Sequence, residues 1–251
     1  MISNIYNAIV YQPLYNGLVL LMDTIPWANA GLVVIIFTII VKLCLFPLSR
    51  KAVVAQMQMK VIEPELNALK EKYKNDRHEL ARKTMALYKE KGIRPFLSIG
   101  LILIQLPIIF ALYGIFLHSG LPQVNQEILY SFVRVPEFVD MMFFGLVNIA
   151  DKSIILALLV GFTTFLQSKI MMPNKPVSTT TSGQKNSLKD DFAKSMHMQM
   201  RYVLPVILTF FAWGLPAVVS LYWVTSNLFT IGQELFLKRK KNITVSTTAV
   251  V

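Results

Sequence analysis

The stretch FTIIVKLCLFPLSRK, residues 37–51, is an apolar run of the kind that crosses a lipid bilayer, yet a lysine interrupts it at position 42. Lys42 lies eight residues before Arg50, so in a helix it would be about 12 Å deeper in the membrane than that arginine. Leaving a charge against lipid costs at least ~2.5 kcal/mol. Two explanations stay open: the lysine stem snorkels towards the cytoplasm, or its charge belongs to a functional site inside the membrane.

The overall composition indicates a membrane protein. The chain has 251 residues, of which 54% are hydrophobic, and its mean hydropathy is +0.52. An ordinary soluble domain is less apolar than this. A helix needs about 20 apolar residues to span a bilayer. Four stretches of the chain are near that length, and a further stretch, Tyr202–Trp213, is shorter: the four are Gly31–Leu48, Phe96–Leu117, Ile154–Met172 and Pro216–Leu237.

Lysines and arginines are segregated along the chain, and their positions predict its orientation. They number 25 and give the chain a formal net charge of +11. Residues 1–41 contain none, and residues 119–150 contain only Arg134. Most of the others fall into three clusters: residues 50–94, 169–201 and 238–241. By the positive-inside rule these clusters are cytoplasmic, which predicts a multi-pass protein of the plasma (inner) membrane with its N-terminus outside and its C-terminus in the cytoplasm.

The charged region between the first two spans has helical periodicity. Apolar residues recur at helical spacing in two arms: Ile62, Leu66, Leu69 and Tyr73, then Leu80, Leu87 and Tyr88. Asn75 and Asp76 separate the arms, and Pro64 stands where a first helical turn accepts a proline. The pattern therefore predicts a cytoplasmic helical hairpin with a narrow apolar seam.

The predicted fold is all-α: a polytopic membrane protein with five transmembrane helices, an N-terminal interfacial amphipathic helix and a cytoplasmic helical hairpin. In chain order we expect an outer-face interfacial amphipathic segment at 1–28, transmembrane helix 1 at 29–48, the hairpin at 49–95, transmembrane helix 2 at 96–117, an outer-face segment at 118–151, transmembrane helix 3 at 152–172, a flexible cytoplasmic loop at 173–199, transmembrane helices 4 and 5 as a hairpin at 200–237, and a basic cytoplasmic tail at 238–251.

Polar residues within the predicted spans fall towards the cytoplasmic side. In the fifth span Ser220, Trp223, Asn227, Thr230 and Glu234 share one helical face. Under the predicted orientation, Lys42, Gln105 and Gln167 also lie in cytoplasmic halves, while the outer halves are almost purely apolar. The pattern indicates a wet, positively charged cavity open to the cytoplasm. Interhelical hydrogen bonding is the alternative reading of each polar stripe.

Five stretches in order resemble the YidC/Oxa/Alb family of membrane protein insertases: TIIVKLCLFPLSRKA, ALYKEKGIRPF, LILIQLPIIFALYGIF, TTFLQSKIM and LPAVVSLYWVTSNLFTIGQE. The resemblance implies an insertase and chaperone that needs no cofactor, nucleotide or metal. Members of this family hold an intramembrane arginine in a hydrophilic groove that receives the polar tail of an incoming protein. Lys42 occupies that arginine's place, Gln167 matches a groove-lining glutamine, and Trp223 matches a tryptophan near the groove.

The expected substrate groove is therefore lined by Lys42, Gln105, Gln167, Trp223, Asn227 and Thr230. Expected partners are nascent membrane-protein clients and the phospholipid bilayer. The ribosome and the Sec translocon are further candidate partners, and no specific nucleic-acid sequence is expected.

Two other functional classes fit the sequence less well. The segment HELAR at residues 78–82 resembles the zinc motif H-E-x-x-H, but Arg82 stands where the second histidine ligand is required, and no predicted span contains a histidine. An enzyme is therefore not expected. A small membrane transporter or channel is the alternative function, although a channel needs polar residues through both leaflets and a transporter commonly shows internal repeats.

Overall fold

The computed structural model describes residues 2–74, 76–94, 97–117, 121, 123–171 and 199–248. The described chain is nearly all α-helical, with one two-stranded ribbon as its β-structure. The loop predicted at 173–199 lies almost wholly outside the described residues. By their internal contacts the residues form two compact bodies, Met1–Lys42 with Ile108–Val251, and Leu43–Pro107.

The helices of the described residues are numbered in chain order. They are α1 (Ile2–Tyr6), α2 (Gln12–Thr24), α3 (Ala30–Cys44), α4 (Phe46–Val61), α5 (Glu63–Lys72), α6 (Arg77–Glu90), α7 (Leu97–Leu117), α8 (Ile154–Met171), α9 (Leu204–Gly214) and α10 (Ala217–Thr248). Single π-helical turns at Asn7–Tyr11 and Gln199–Val203 precede α2 and α9. A short 3₁₀ helix, Gln126–Ile128, and the strands β1 (Met142–Phe143) and β2 (Val147–Asn148) lie between α7 and α8.

The first predicted span differs from a single helix ending at residue 48. Helix α3 ends at Cys44, and α4 begins at Phe46 after the turn residue Leu45. Pro47 is the second residue of α4. A proline has no backbone N–H to donate to the preceding turn, so it is tolerated in the first turn of a helix and kinks or breaks a helix when it lies in the interior. Helix α4 then runs to Val61, into the region predicted as the hairpin.

The two predicted hairpin arms correspond to α5 and α6, which pack against each other. Pro64 lies in the first turn of α5. Asp76 caps α6, because its side chain accepts a hydrogen bond of 2.9 Å from the backbone N–H of Glu79. One ion pair joins the arms, with Lys91 Nζ 3.0 Å from Glu65 Oε1. Both side chains are exposed, so this pair contributes little to stability.

Near the N-terminus, two polar side chains of α2 form hydrogen bonds to the backbone of residues 125–130, the segment before β1. The Asn16 side chain donates to the carbonyl of Ile128 at 2.9 Å and accepts from the backbone N–H of Tyr130 at 2.6 Å. The Tyr15 hydroxyl accepts from the backbone N–H of Asn125 at 2.8 Å. Because Asn16 and Tyr15 are buried, these bonds satisfy polar groups that would otherwise be costly.

The ribbon of β1 and β2 connects the beginnings of two long helices. The backbone N–H of Ala30, the first residue of α3, donates to the carbonyl of Asp140 at 2.7 Å. At the start of α10, Ala217 and Val218 donate to the carbonyls of Asp151 and Ile149 at 2.7 and 2.9 Å. The segment therefore satisfies N–H groups that the first turn of a helix leaves without an internal partner.

Two features of the described residues bear on membrane crossing. Helix α8 is long and apolar enough to span a bilayer by itself. Helix α3 and residues Phe46–Met59 of α4 reach that length only together, across the break at Leu45. Shorter apolar helices are Leu103–Leu117 and Arg201–Gly214. The structure is consistent with a helical membrane protein, and the number of five spans stays a prediction.

Candidate functional site

Three of the six predicted groove residues lie on α10, whose polar face packs against α8. Ser220, Asn227 and Glu234 on this face are all buried. The Asn227 side-chain amide donates to the hydroxyl oxygens of Thr163 and Thr164 on α8, at 3.1 and 3.0 Å. The polar stripe thus includes the interhelical hydrogen bonds that were the alternative reading of the sequence pattern.

Trp223, one turn before Asn227, occupies an apolar part of the same interface. It packs against a cluster made of Ala157 and Val160 from α8, Ala212 from α9 and Val224 from α10. The small side chains of Ala157 and Ala212 let the three helices approach each other. Trp223 itself stays half-buried, so part of its ring faces outward from this cluster.

Helices α8 and α9 are in close contact at Gly161. A side chain at this position would collide with Thr209 Oγ1 and would lie 3.2 Å from the carbonyl oxygen of Pro205. The Thr209 hydroxyl is held in place because it donates to that same carbonyl at 2.9 Å. Gly161 therefore sets the distance between the two helices.

Near the end of α8, a lysine from α10 forms a hydrogen bond to the α8 backbone. Lys238 Nζ donates to the carbonyl of Ile170 at 2.8 Å and lies 2.8 Å from Glu234 Oε1. The Ile170 carbonyl is among the last four of α8, which have no partner inside the helix. Because the C-terminal end of a helix carries partial negative charge, a lysine there is favourable. Glu234 and Lys238 are four residues apart in the order that stabilises a helix.

The remaining predicted groove residues are half-buried. Gln167 lies on α8, one turn beyond the threonines that bind Asn227, and Thr230 on α10 donates to the carbonyl of Ser226 at 2.8 Å. Lys42 lies in the last turn of α3. Gln105 lies on α7 and belongs to the compact body Leu43–Pro107, whereas the other five candidates belong to the other body. Among the six candidates, Asn227 forms the hydrogen bonds between α8 and α10 described above, and the groove stays a prediction.

Sequence reasoning did not include Thr163, Gly161 or Lys238 among the important residues. The sequence pattern did not single out Thr163. The neighbouring Thr164 lies three and four residues before Gln167 and Ser168, so these three residues share one helical face. Lys238 was grouped with the basic tail, although its spacing of four from Glu234 was a signal for an ion pair. The role of Gly161 depends on Thr209 of another helix, and no local pattern shows that contact.

A sequence model of the family described as 60Kd inner membrane protein matches residues 21–244. The chain belongs to this family. The resemblance indicated by the sequence motifs is therefore confirmed, and membership places the chain in the inner, or plasma, membrane.

Three curated relatives in this family are each named membrane protein insertase YidC. The protein of Fusobacterium nucleatum subsp. nucleatum is 32% identical over 233 residues, which cover 92% of this chain and 98% of that protein. The protein of Oceanobacillus iheyensis is 32% identical over 216 residues, covering 83% of this chain and 74% of the relative. The protein of Ectopseudomonas mendocina is 31% identical over 84% of this chain, which spans only 31% of that relative.

Lys42 is the one charged residue among the six predicted groove residues. The half-buried position of Lys42 on α3 leaves part of this side chain accessible.

Proposed function

We propose that this chain is a membrane protein insertase and chaperone, which receives hydrophobic client segments in a positively charged groove and releases them into the bilayer. The observation that carries the proposal is the family match over residues 21–244, supported by relatives named as insertases. The protein is not an enzyme: its work is to lower the cost of moving polar client segments across a lipid barrier. Its partners are nascent membrane-protein clients and the lipids around them.

The groove that we propose is lined by Lys42, Gln105, Gln167, Trp223, Asn227 and Thr230. Polar and cationic side chains at membrane depth provide hydrogen bonds that lipid tails lack, so a polar client tail would be less costly to hold there than in the bilayer core. Client transmembrane segments are apolar, so they pass from the groove into lipid, while the polar side chains of the groove contact the client's polar tail. The ribosome and the Sec translocon are proposed as further partners that deliver such clients.

We expect the purified chain, reconstituted into lipid vesicles, to insert a small client with one transmembrane segment. The measurement is protection of the client's translocated tail from added protease, with protein-free vesicles as the control. Solute flux through the same vesicles tests the alternative function of a transporter or channel. Absence of tail protection together with specific solute flux would reject the insertase and favour that alternative.

The proposed orientation places the N-terminus outside, the hairpin in the cytoplasm and the C-terminus in the cytoplasm. In a Cys44→Ser background, we expect Asn125→Cys to react with a membrane-impermeant thiol reagent only from the outside. We expect Lys60→Cys to react only from the cytoplasmic side. This follows because lysines and arginines are concentrated on one set of loops. Labelling of Asn125→Cys from the cytoplasm would contradict the five-span arrangement.

A further inference from the structure

The turn between β1 and β2 carries apolar side chains that project away from the rest of the chain. Leu146 is 83% exposed, Phe144 is 69% exposed and Met142 is 40% exposed. Residues 141–150 contain no charged side chain. Such a concentration of exposed apolar surface at a tight turn usually marks a contact with another apolar surface.

One side of the same ribbon is firmly attached to the membrane helices. The Phe143 ring lies directly against Gly31 in the first turn of α3, where any side chain would collide with it. The Ala30–Asp140 bond and the bonds of Ala217 and Val218 to this segment add backbone contacts to the starts of α3 and α10. Phe143 therefore packs inward, while Phe144 and Leu146 project outward from a ribbon fixed at these helix ends.

The backbone of the turn adds a second observation. Phe144 has φ 50° and Gly145 has φ 68°, both in the left-handed region. Glycine adopts this conformation at little cost, whereas a phenylalanine there is uncommon and strained, by roughly 1 kcal/mol or more. The Phe143 and Phe144 rings are 4.5 Å apart at an angle of 49°, yet this contact leaves most of Phe144 exposed. The backbone conformation at position 144 favours glycine or asparagine. Because most of the Phe144 ring is exposed, packing within the protein does not explain why a phenylalanine is found there.

The surroundings of the turn indicate lipid as its partner. Helix α8, which is apolar and long enough to cross a bilayer, starts only three residues after Asp151, and its first residues Ile154 and Ile155 are 55% and 62% exposed. Trp27, just before α3, is 79% exposed. Aromatic side chains of this kind concentrate at the boundary between lipid and water. The exposed apolar side chains of the turn therefore lie in the same part of the protein as the exposed apolar residues at the starts of α3 and α8.

We propose that the turn Met142–Leu146 inserts its exposed apolar side chains into the outer boundary of the lipid bilayer and anchors the starts of α3 and α10 there. The lipid surface covers Phe144 and Leu146, while Phe143 and the backbone bonds transmit the anchorage to the helices. The proposal rests on the membrane location of the chain and not on its insertase activity.

The test measures the depth of a nitroxide spin label at Leu146→Cys, in a Cys44→Ser background, in vesicles that contain only this protein and phospholipid. We expect the ratio of collisions with oxygen to collisions with a water-soluble nickel complex to be several-fold higher than for a label at Glu137→Cys, an exposed residue of the same segment. No client is present, so the result does not depend on whether insertion works. Equal ratios at the two positions would overturn the proposal and leave the turn as a water-exposed surface for another protein.

A matched variant separates anchorage from the fold of the turn. Phe144→Asn places a residue that tolerates the left-handed conformation at this position and removes the ring. We expect it to keep or raise the stability of the protein in detergent, while the label at residue 146 moves towards water in vesicles. If the label depth does not change in this variant, Phe144 does not contribute to the anchor and the proposal fails for that residue.

Discussion

Lys42→Leu is expected to reduce insertion of a client with an acidic translocated tail about tenfold while the protein still folds. A lysine ammonium and a client carboxylate about 4 Å apart attract by roughly 4 kcal/mol at an effective dielectric constant of about 20. Desolvation offsets much of this attraction, and a net loss of about 1.4 kcal/mol corresponds to a factor of ten. Leucine suits the membrane better than a charge, so the fold should not suffer.

The measurement compares the unmodified chain, Lys42→Leu and Lys42→Arg in vesicles at equal protein levels, with one acidic-tailed and one neutral-tailed client. Lys42→Arg should retain activity, because it keeps a positive charge at this position. The neutral-tailed client should be affected less by Lys42→Leu. Equal insertion of the acidic client by all three proteins would remove the electrostatic role and leave snorkelling as the explanation of Lys42.

Gly161→Ala is expected to lower the free energy of unfolding by about 1–3 kcal/mol or more, because a side chain there enters the contact between α8 and α9. The added carbon would meet Thr209 Oγ1, which is held by its bond to Pro205, so neither helix can yield without losing contacts. Denaturant unfolding in detergent, followed by circular dichroism, measures the change.

Matched variants make the cause of this effect testable. Thr209→Ala removes the colliding oxygen and should restore part of the stability of Gly161→Ala, whereas Thr209→Ser retains the oxygen and should not. Gly232→Ala is the control, since a side chain at Gly232 meets no other atom within 4 Å and alanine favours a helix more than glycine does. Equal stability of Gly161→Ala and Gly232→Ala would show that α8 and α9 are not in close contact at this point.

Local signals in the sequence correspond to the starts of α5 and α6. Pro64 and Asp76 act in the first turns of α5 and α6, where a proline is tolerated and an aspartate accepts a backbone hydrogen bond. These effects involve residues within one turn of each other, so spacing alone is enough to recognise them. The break at Leu45 was missed because the apolar run continues through it, although Pro47 was a visible signal.

The helical and membrane character of this protein follows from its sequence by itself, because apolar length, charge segregation and helical periodicity are all properties of neighbouring residues. The positions of Gln167 and Asn227 within their helices follow in the same way, whereas the position of Lys42 in the last turn of α3 does not, because the predicted helix continued to residue 48. Only the tertiary structure decided that Asn227 bonds to Thr163 and Thr164, that Gly161 accommodates Thr209, and that Phe143 packs on Gly31 while Phe144 projects outward. Each of these contacts joins residues far apart in the chain, and whether a polar or aromatic side chain meets a helix or an open surface depends on which segment folds against it.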